Sequence, residues 1–257
     1  MQASIRLERD PAVQYLLRIG DTCLIHAQRL AEWSGHGPVL EEDIALTNMA
    51  LDLVGQARAL LTHAGRIEGQ GHDEDQLAFL RDERNYFNVT MVELPRGDFA
   101  FTVLRNAMVS TLLKLLWERL ADSSDAELGA IAGKAVKEAR YHQQHAADWV
   151  VRLGDGTAES RRRTESALKQ LWLYTAEWFE SDPVDEQAQA SGLGPRWAEL
   201  RESWQAEMAA ILDDATLAMP ADCAFRSTGR SGLHSEHMGY ILTTMQHLQR
   251  SFPGGVW

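Results

Sequence analysis

Four long stretches of helical periodicity, at 13–31, 40–64, 99–120 and 124–152, constrain what this 257-residue chain can fold into more than any motif does. Val13, Leu16, Leu17, Leu24, Ala27, Leu30 and Ala31 recur at steps of three or four and mark one apolar helical face. Ser34-Gly35-His36-Gly37-Pro38 ends that helix. The second runs from Leu40 to His63 or Ala64 and is the most apolar stretch, as a central bundle element should be. Roughly thirty residues follow, with Asp73-Glu74-Asp75-Gln76 offering an N-cap and capping box for a helix through Phe87. Gly97-Asp98 starts the third long helix, to Leu120, and Ser124 with Glu127 has the form of a capping box for the fourth. Further helices are expected from Thr157 or Ser160 to Glu180, over 196–217 and over 237–250, with a polar connector around Pro183 and Pro195.

No alternating β pattern, repeat or low-complexity tract is visible. Two long helices, a crossover and two more long helices is the order of a ferritin-like four-helix bundle. The expected fold is therefore all-α, a single ferritin-like domain over 1–257, with a core bundle at about 10–152 and additional C-terminal helices at about 157–251.

Charge narrows the partners. A net charge of −12 argues against a nucleic-acid backbone or an anionic membrane surface. No stretch approaches the ~20 uninterrupted apolar residues of a membrane span. Two cysteines, Cys23 and Cys223, and an N-terminus without an apolar signal segment point to a cytoplasmic setting with free thiols.

A ferritin-like di-iron centre takes a carboxylate from each of two helices and a Glu-x-x-His from each of the other two. Here the pattern is depleted. The first helix offers Glu32 or Asp21; the second offers Asp52, followed at i+3 by Gly55, which has no ligating side chain. Between Asp98 and Glu118 the third helix has no acidic residue, and the fourth carries Glu138 and His142 out of register. Two metal ions cannot be neutralised by so few carboxylates. The residues instead read as a polar cluster in which Asp52, Glu138, His142 and Lys134 or Lys137 satisfy one another across the bundle, with a depleted or single-metal site as the alternative. Gly55 reads as a point of close helix approach. A second, weaker candidate is Gly229-Arg230-Ser231-Gly232-Leu233-His234-Ser235-Glu236-His237, where His234 and His237 at i, i+3 suit a metal if the helix begins by His234, or the loop receives an anion at a helix N-terminus. Trp117, Trp149, Trp172, Trp178, Trp197 and Trp204 are more aromatics than one core is expected to hide, so some should lie exposed for a partner.

The chain resembles the C-subunit (PaaC) family of bacterial ring-1,2-phenylacetyl-CoA epoxidases. The resemblance is carried by Tyr15-Leu-Leu-Arg-Ile-Gly-Asp-Thr-Cys-Leu24, Gln28-Arg-Leu-Ala-Glu-Trp-Ser-Gly-His36 and Ala50-Leu-Asp-Leu-Val-Gly-Gln-Ala-Arg58. It continues through Leu77-Ala-Phe-Leu-Arg-Asp-Glu-Arg84, Lys137-Glu-Ala-Arg-Tyr-His142, Gly232-Leu-His-Ser-Glu-His237 and Met245-Gln-His-Leu-Gln-Arg250. The resemblance implies a structural, non-catalytic subunit of a monooxygenase that converts phenylacetyl-CoA to its ring-1,2-epoxide in aerobic phenylacetate catabolism. It also implies no cofactor in this chain, di-iron in a related catalytic A-type subunit, and as further partners a small B-type subunit and a flavin/iron–sulfur reductase. Self-association of the lone chain stays open, as does the alternative of a self-sufficient di-iron oxygenase or oxidase with atypical ligands.

Overall fold

The computed structural model describes residues 2–7 and 10–255. Its elements are the helices α1 (Pro11–Ala31), α2 (Leu40–Glu68), α3 (Glu74–Phe79), α4 (Phe99–Leu120), α5 (Ala126–Gly154), α6 (Ala158–Trp172), α7 (Pro183–Ser191), α8 (Arg201–Asp214) and α9 (Glu236–Ser251). Short 3₁₀ turns join several of them, and no β-strand occurs among the described residues. The fold is all-α and ferritin-like. The heaviest packing is α1 on α2 and α4 on α5, with α2 against α5 closing the bundle.

Local chemistry explains most helix starts. Asp10 caps α1 by accepting from the Ala12 and Val13 N–H groups, with Pro11 preset for the first turn. Asp98 caps α4 through the Phe101 N–H, and Asp73 with Gln76 forms the expected capping box of α3. The cap of α5 is Asp125, which accepts from the Leu128 N–H, and not Ser124. A carboxylate at that position also matches the positive end of the helix dipole.

Several boundaries depart from the periodicity. The helix expected through Phe87 ends at Phe79, because the carboxylate of Asp21 on α1 captures the Phe87 N–H, and Arg81 beyond it turns inward to the same group. The helix expected to Glu180 stops at Trp172, and the polar connector contains α7, capped by Asp182. The 196–217 helix divides into a 3₁₀ turn at Trp197–Leu200 and α8. The most apolar helix is α4, not α2. By length and composition α4 is apolar enough to cross a membrane, but 78% of that window is buried inside the bundle.

The tryptophans also correct the expectation. Trp117, Trp172, Trp178, Trp197 and Trp204 are all buried, and Trp149 is half-buried. Helices α6 and α8 and the 176–179 turn build a second apolar layer against α4. There Trp204 lies 5.4 Å from both Trp172 and Trp178, and its indole N–H donates to the Met108 carbonyl at 3.0 Å. Exposed apolar side chains are found on other surfaces, among them Leu40, Ile44, Leu51 and Val54 along the outer face of α2 and Tyr240 on α9. Gly55 sits on that same outer face, with open space where a Cβ would project, so it marks no close helix approach.

Candidate functional site

The middle of the bundle holds a polar set drawn from all four long helices. On α1, His26 is buried, and its Nε2 lies 3.1 Å from Oδ1 of Asn106 on α4. The Asn106 amide nitrogen in turn donates to the Met49 thioether of α2 at 3.4 Å. The other His26 nitrogen is buried with no partner among the described residues, as a neutral imidazole allows. Burial, with the Arg105 charge adding to it, pushes the His26 pKa down to about 3 against the opposing Asn106 bond. Deeper along the same helices, Gln56 of α2 accepts from the Cys23 thiol at 3.6 Å and donates to Glu138 of α5 at 2.9 Å.

The residues singled out by sequence fall into pairs rather than one cluster. His142 is buried and bonds Asp52 at 3.0 Å, but the Asp52 side chain is 40% exposed at the α2–α5 seam. Burial lowers the His142 pKa despite Asp52, so this imidazole favours the neutral form. Glu138 meets Gln56 instead, with Lys134 3.8 Å away, while Lys137 makes no ion pair among the described residues. Asp21 points away from the bundle centre to a fully buried pair with Arg81, and Glu32 bonds Arg29 at the end of α1.

His234 and His237 do not come together. The last helix begins at Glu236, so His234 lies before it, bonded through Nδ1 to Glu93 at 2.6 Å and through Nε2 to the Tyr86 carbonyl at 2.9 Å. Burial alone would lower the His234 pKa, but Glu93 outweighs it and raises it, favouring imidazolium. The second oxygen of Glu93 accepts from Ser235 N–H at 2.8 Å and its hydroxyl at 2.7 Å. The anion expected at this helix N-terminus is thus the chain's own Glu93.

A sequence profile described as phenylacetic acid catabolic protein matches residues 1–257. The chain belongs to the phenylacetic acid catabolic protein family. Within that family it is 46% identical over 243 residues to the C-subunit of 1,2-phenylacetyl-CoA epoxidase from Escherichia coli (strain K12), covering 95% of this chain and 98% of that one.

For a member of the phenylacetic acid catabolic protein family, the question is whether a ferritin-like di-iron group fits these residues. The side chains at the centre are two carboxamides, a thioether, a neutral imidazole and a single carboxylate, Glu138, which are poor partners for two hard cations that need several carboxylates. Asp21 is consumed by Arg81 and by the Phe87 N–H. Among the described residues no three His, Cys, Asp or Glu side chains converge on one point. The residues do not fit the group. Sequence reading missed His26, Gln56 and Asn106; the one available signal was Arg105-Asn106, two polar residues inside an otherwise apolar run.

Glu138 then acts on Gln56 rather than on a metal. Replacing Glu138 by Ala leaves the Gln56 amide without its acceptor, but the seam admits water. The expected loss is about 1 kcal/mol, or about 2–4 °C in melting temperature. Thermal unfolding checks it, and a drop beyond about 10 °C would show that Glu138 holds more than Gln56.

Proposed function

We propose that this chain is the non-catalytic, structural subunit of a multicomponent monooxygenase that converts phenylacetyl-CoA to its ring-1,2-epoxide in phenylacetate catabolism. The observation that carries the reading is that neutral amides, Gln56 and Asn106, occupy the bundle centre with Glu138 as the one carboxylate bonded to them. A ferritin-like domain with such donors supplies shape rather than redox chemistry. The relative aligned over 98% of its own length, one subunit of an epoxidase, supports membership of a multi-subunit assembly. The di-iron group would belong to a catalytic A-type homologue, with a small B-type subunit and a reductase completing a cytoplasmic system.

The outer face of α2 suits such a partner. Leu40, Ile44, Leu51 and Val54 follow helical spacing, and Leu40 and Leu51 are 72% and 63% exposed. Permanent subunit interfaces bury such apolar surface over an area above ~2,000 Å² in total.

Co-expression with the catalytic homologue tests the reading. A stable hetero-oligomer is expected on size exclusion, with iron confined to the catalytic chain. Ile44→Glu with Leu51→Glu should abolish co-elution while the lone chain keeps its melting temperature, because both side chains project into solvent. Full epoxidation by the catalytic chain and reductase alone, or about two irons per copy of this chain, overturns the proposal.

A further inference from the structure

Helix α9 is fastened to the molecule rather than embedded in it. It packs chiefly on α3 and on the 3₁₀ turns at Glu83–Asn85 and Thr90–Glu93, outside the four-helix core, and buries Met238, Ile241 and Leu242 there. Its N-cap residue, Ser235, makes no side-chain cap to its own first turn. The Ser235 N–H and hydroxyl both donate to Oε2 of Glu93 instead, while Oε1 meets His234 Nδ1 and the Asn88 amide. The start of α9 therefore hangs on one buried carboxylate in place of an ordinary cap.

Hydrogen-bond roles fix the proton count at this point. The His234 side chain has no exposure; Nδ1 lies 2.6 Å from Glu93 and Nε2 lies 2.9 Å from the Tyr86 carbonyl. A carbonyl can only accept, so Nε2 carries a proton. An ionised carboxylate can only accept, so Nδ1 carries one as well. A carboxylic acid donating to Nδ1 would hold the same proton in the same bond. Without that proton a lone pair on the ring faces a buried carboxylate.

No other cation bonds the Glu93 carboxylate among the described residues. Arg29 of α1 reaches the Glu93 backbone carbonyl, and Asp21 of α1 is matched by Arg81. The Tyr86 hydroxyl is held by the Ala78 carbonyl and Gln246, and Glu83 lies further along α9 against Gly239. On the same segment as His234, Arg230 is matched by Asp185, and Glu236 and His237 make no ion pair among the described residues. Loss of the shared proton would leave Glu93 as an uncompensated buried charge, which is strongly unfavourable.

We propose that His234 is a proton-operated latch: with its Nδ1 proton in place it fastens the start of α9 to the 90–93 turn, and loss of that proton loosens residues 233–251 while the bundle stays folded. Burial pulls the His234 pKa down and Glu93 outweighs it, so the latched value lies above the ordinary one. The latch is therefore fully closed below about pH 6.5, the value of a free imidazole, and is lost as pH rises through the latched value. Between the two, the opening equilibrium of α9 grows by up to about tenfold per pH unit.

Amide hydrogen exchange of the full chain from pH 6 to pH 9, corrected for the chemical exchange rate and referenced to α5, tests this. Opening of α9 relative to α5 is expected to grow more than about twofold, with the growth confined to pH above about 6.5. His234→Gln has no titrating ring, so its α9-to-α5 ratio should stay flat over the same range even if α9 is looser throughout. Nitrogen NMR of the wild-type ring should show His234 titrating above about pH 6.5. A wild-type ratio constant within about twofold, a wild-type slope retained in His234→Gln, or a His234 ring that titrates at or below about pH 6.5 overturns the proposal.

Discussion

Asp21→Asn is expected to lower the melting temperature by about 6–20 °C, the effect of about 3–5 kcal/mol on a chain of this size. Both Asp21 and Arg81 have no exposure at all. One Asp21 oxygen accepts from Arg81 Nη1 and from the Phe87 N–H, each at 2.9 Å, and the other accepts from Arg81 Nη2. Arg81 also donates to the Leu77 and Asn85 carbonyls and stacks 4.1 Å over the Tyr86 ring. Its own carbonyl accepts from Gln246 and Arg250 of α9. The pair therefore ties α1, the segment after α3 and the C-terminal helix into one block. An amide at position 21 keeps the shape but leaves a buried guanidinium uncompensated. Asp21→Leu combined with Arg81→Met removes both charges and is expected to cost much less. Thermal unfolding of the three proteins decides the matter; a single-variant loss under about 2 °C would show the pair to be energetically idle.

The same pair shows where sequence reading stops. Periodicity and caps place the long helices because those signals are local: Asp98 and Asp73 each act within three residues of themselves. The segment 80–87 has helical composition yet forms only a 3₁₀ turn at Glu83–Asn85, and the Phe87 N–H and the Arg81 side chain go to a carboxylate some sixty residues earlier in the chain. Asp125 outcompetes Ser124 as a cap partly because His63 of α2 bonds its second oxygen at 2.8 Å, a tertiary contact. The tryptophans escape sequence reading because a count of aromatics says nothing of a second layer built by α6 and α8. The shortage of carboxylates is legible as the stretch of α4 before Glu118 that has no acidic residue, whereas the groups that stand in their place are not. Gln56 and Asn106 carry no charge and no spacing signature, and Glu93 becomes the partner of His234 and Ser235 only once residues 93 and 234 meet in space.

Acid should begin to destabilise this protein through His26 before most of its carboxylates titrate. The imidazole has a pKa near 6.5 in the unfolded chain and about 3 in the bundle, where burial disfavours its charge. Between those two values the unfolded state binds the extra proton, so stability rises with pH across the window. The contribution is complete above about pH 6.5 and is lost progressively toward pH 3, by about 5 kcal/mol in all and about 2 kcal/mol at pH 5. The buried His142, also lowered, acts with the same sign. His234 acts with the opposite one: Glu93 raises its pKa, so its contribution is present below about pH 6.5 and fades as pH climbs through the folded value. A wild-type melting temperature that falls by about 4–8 °C from pH 7 to pH 5 is therefore expected from His26 alone. His26→Gln preserves a donor toward Asn106 while removing the titration, so its melting curve should be flatter across the same range even if the variant is less stable at pH 7. Most carboxylates remain ionised above pH 5, which isolates the histidines. Parallel pH slopes for the two proteins would show that His26 is not the group that couples protons to folding.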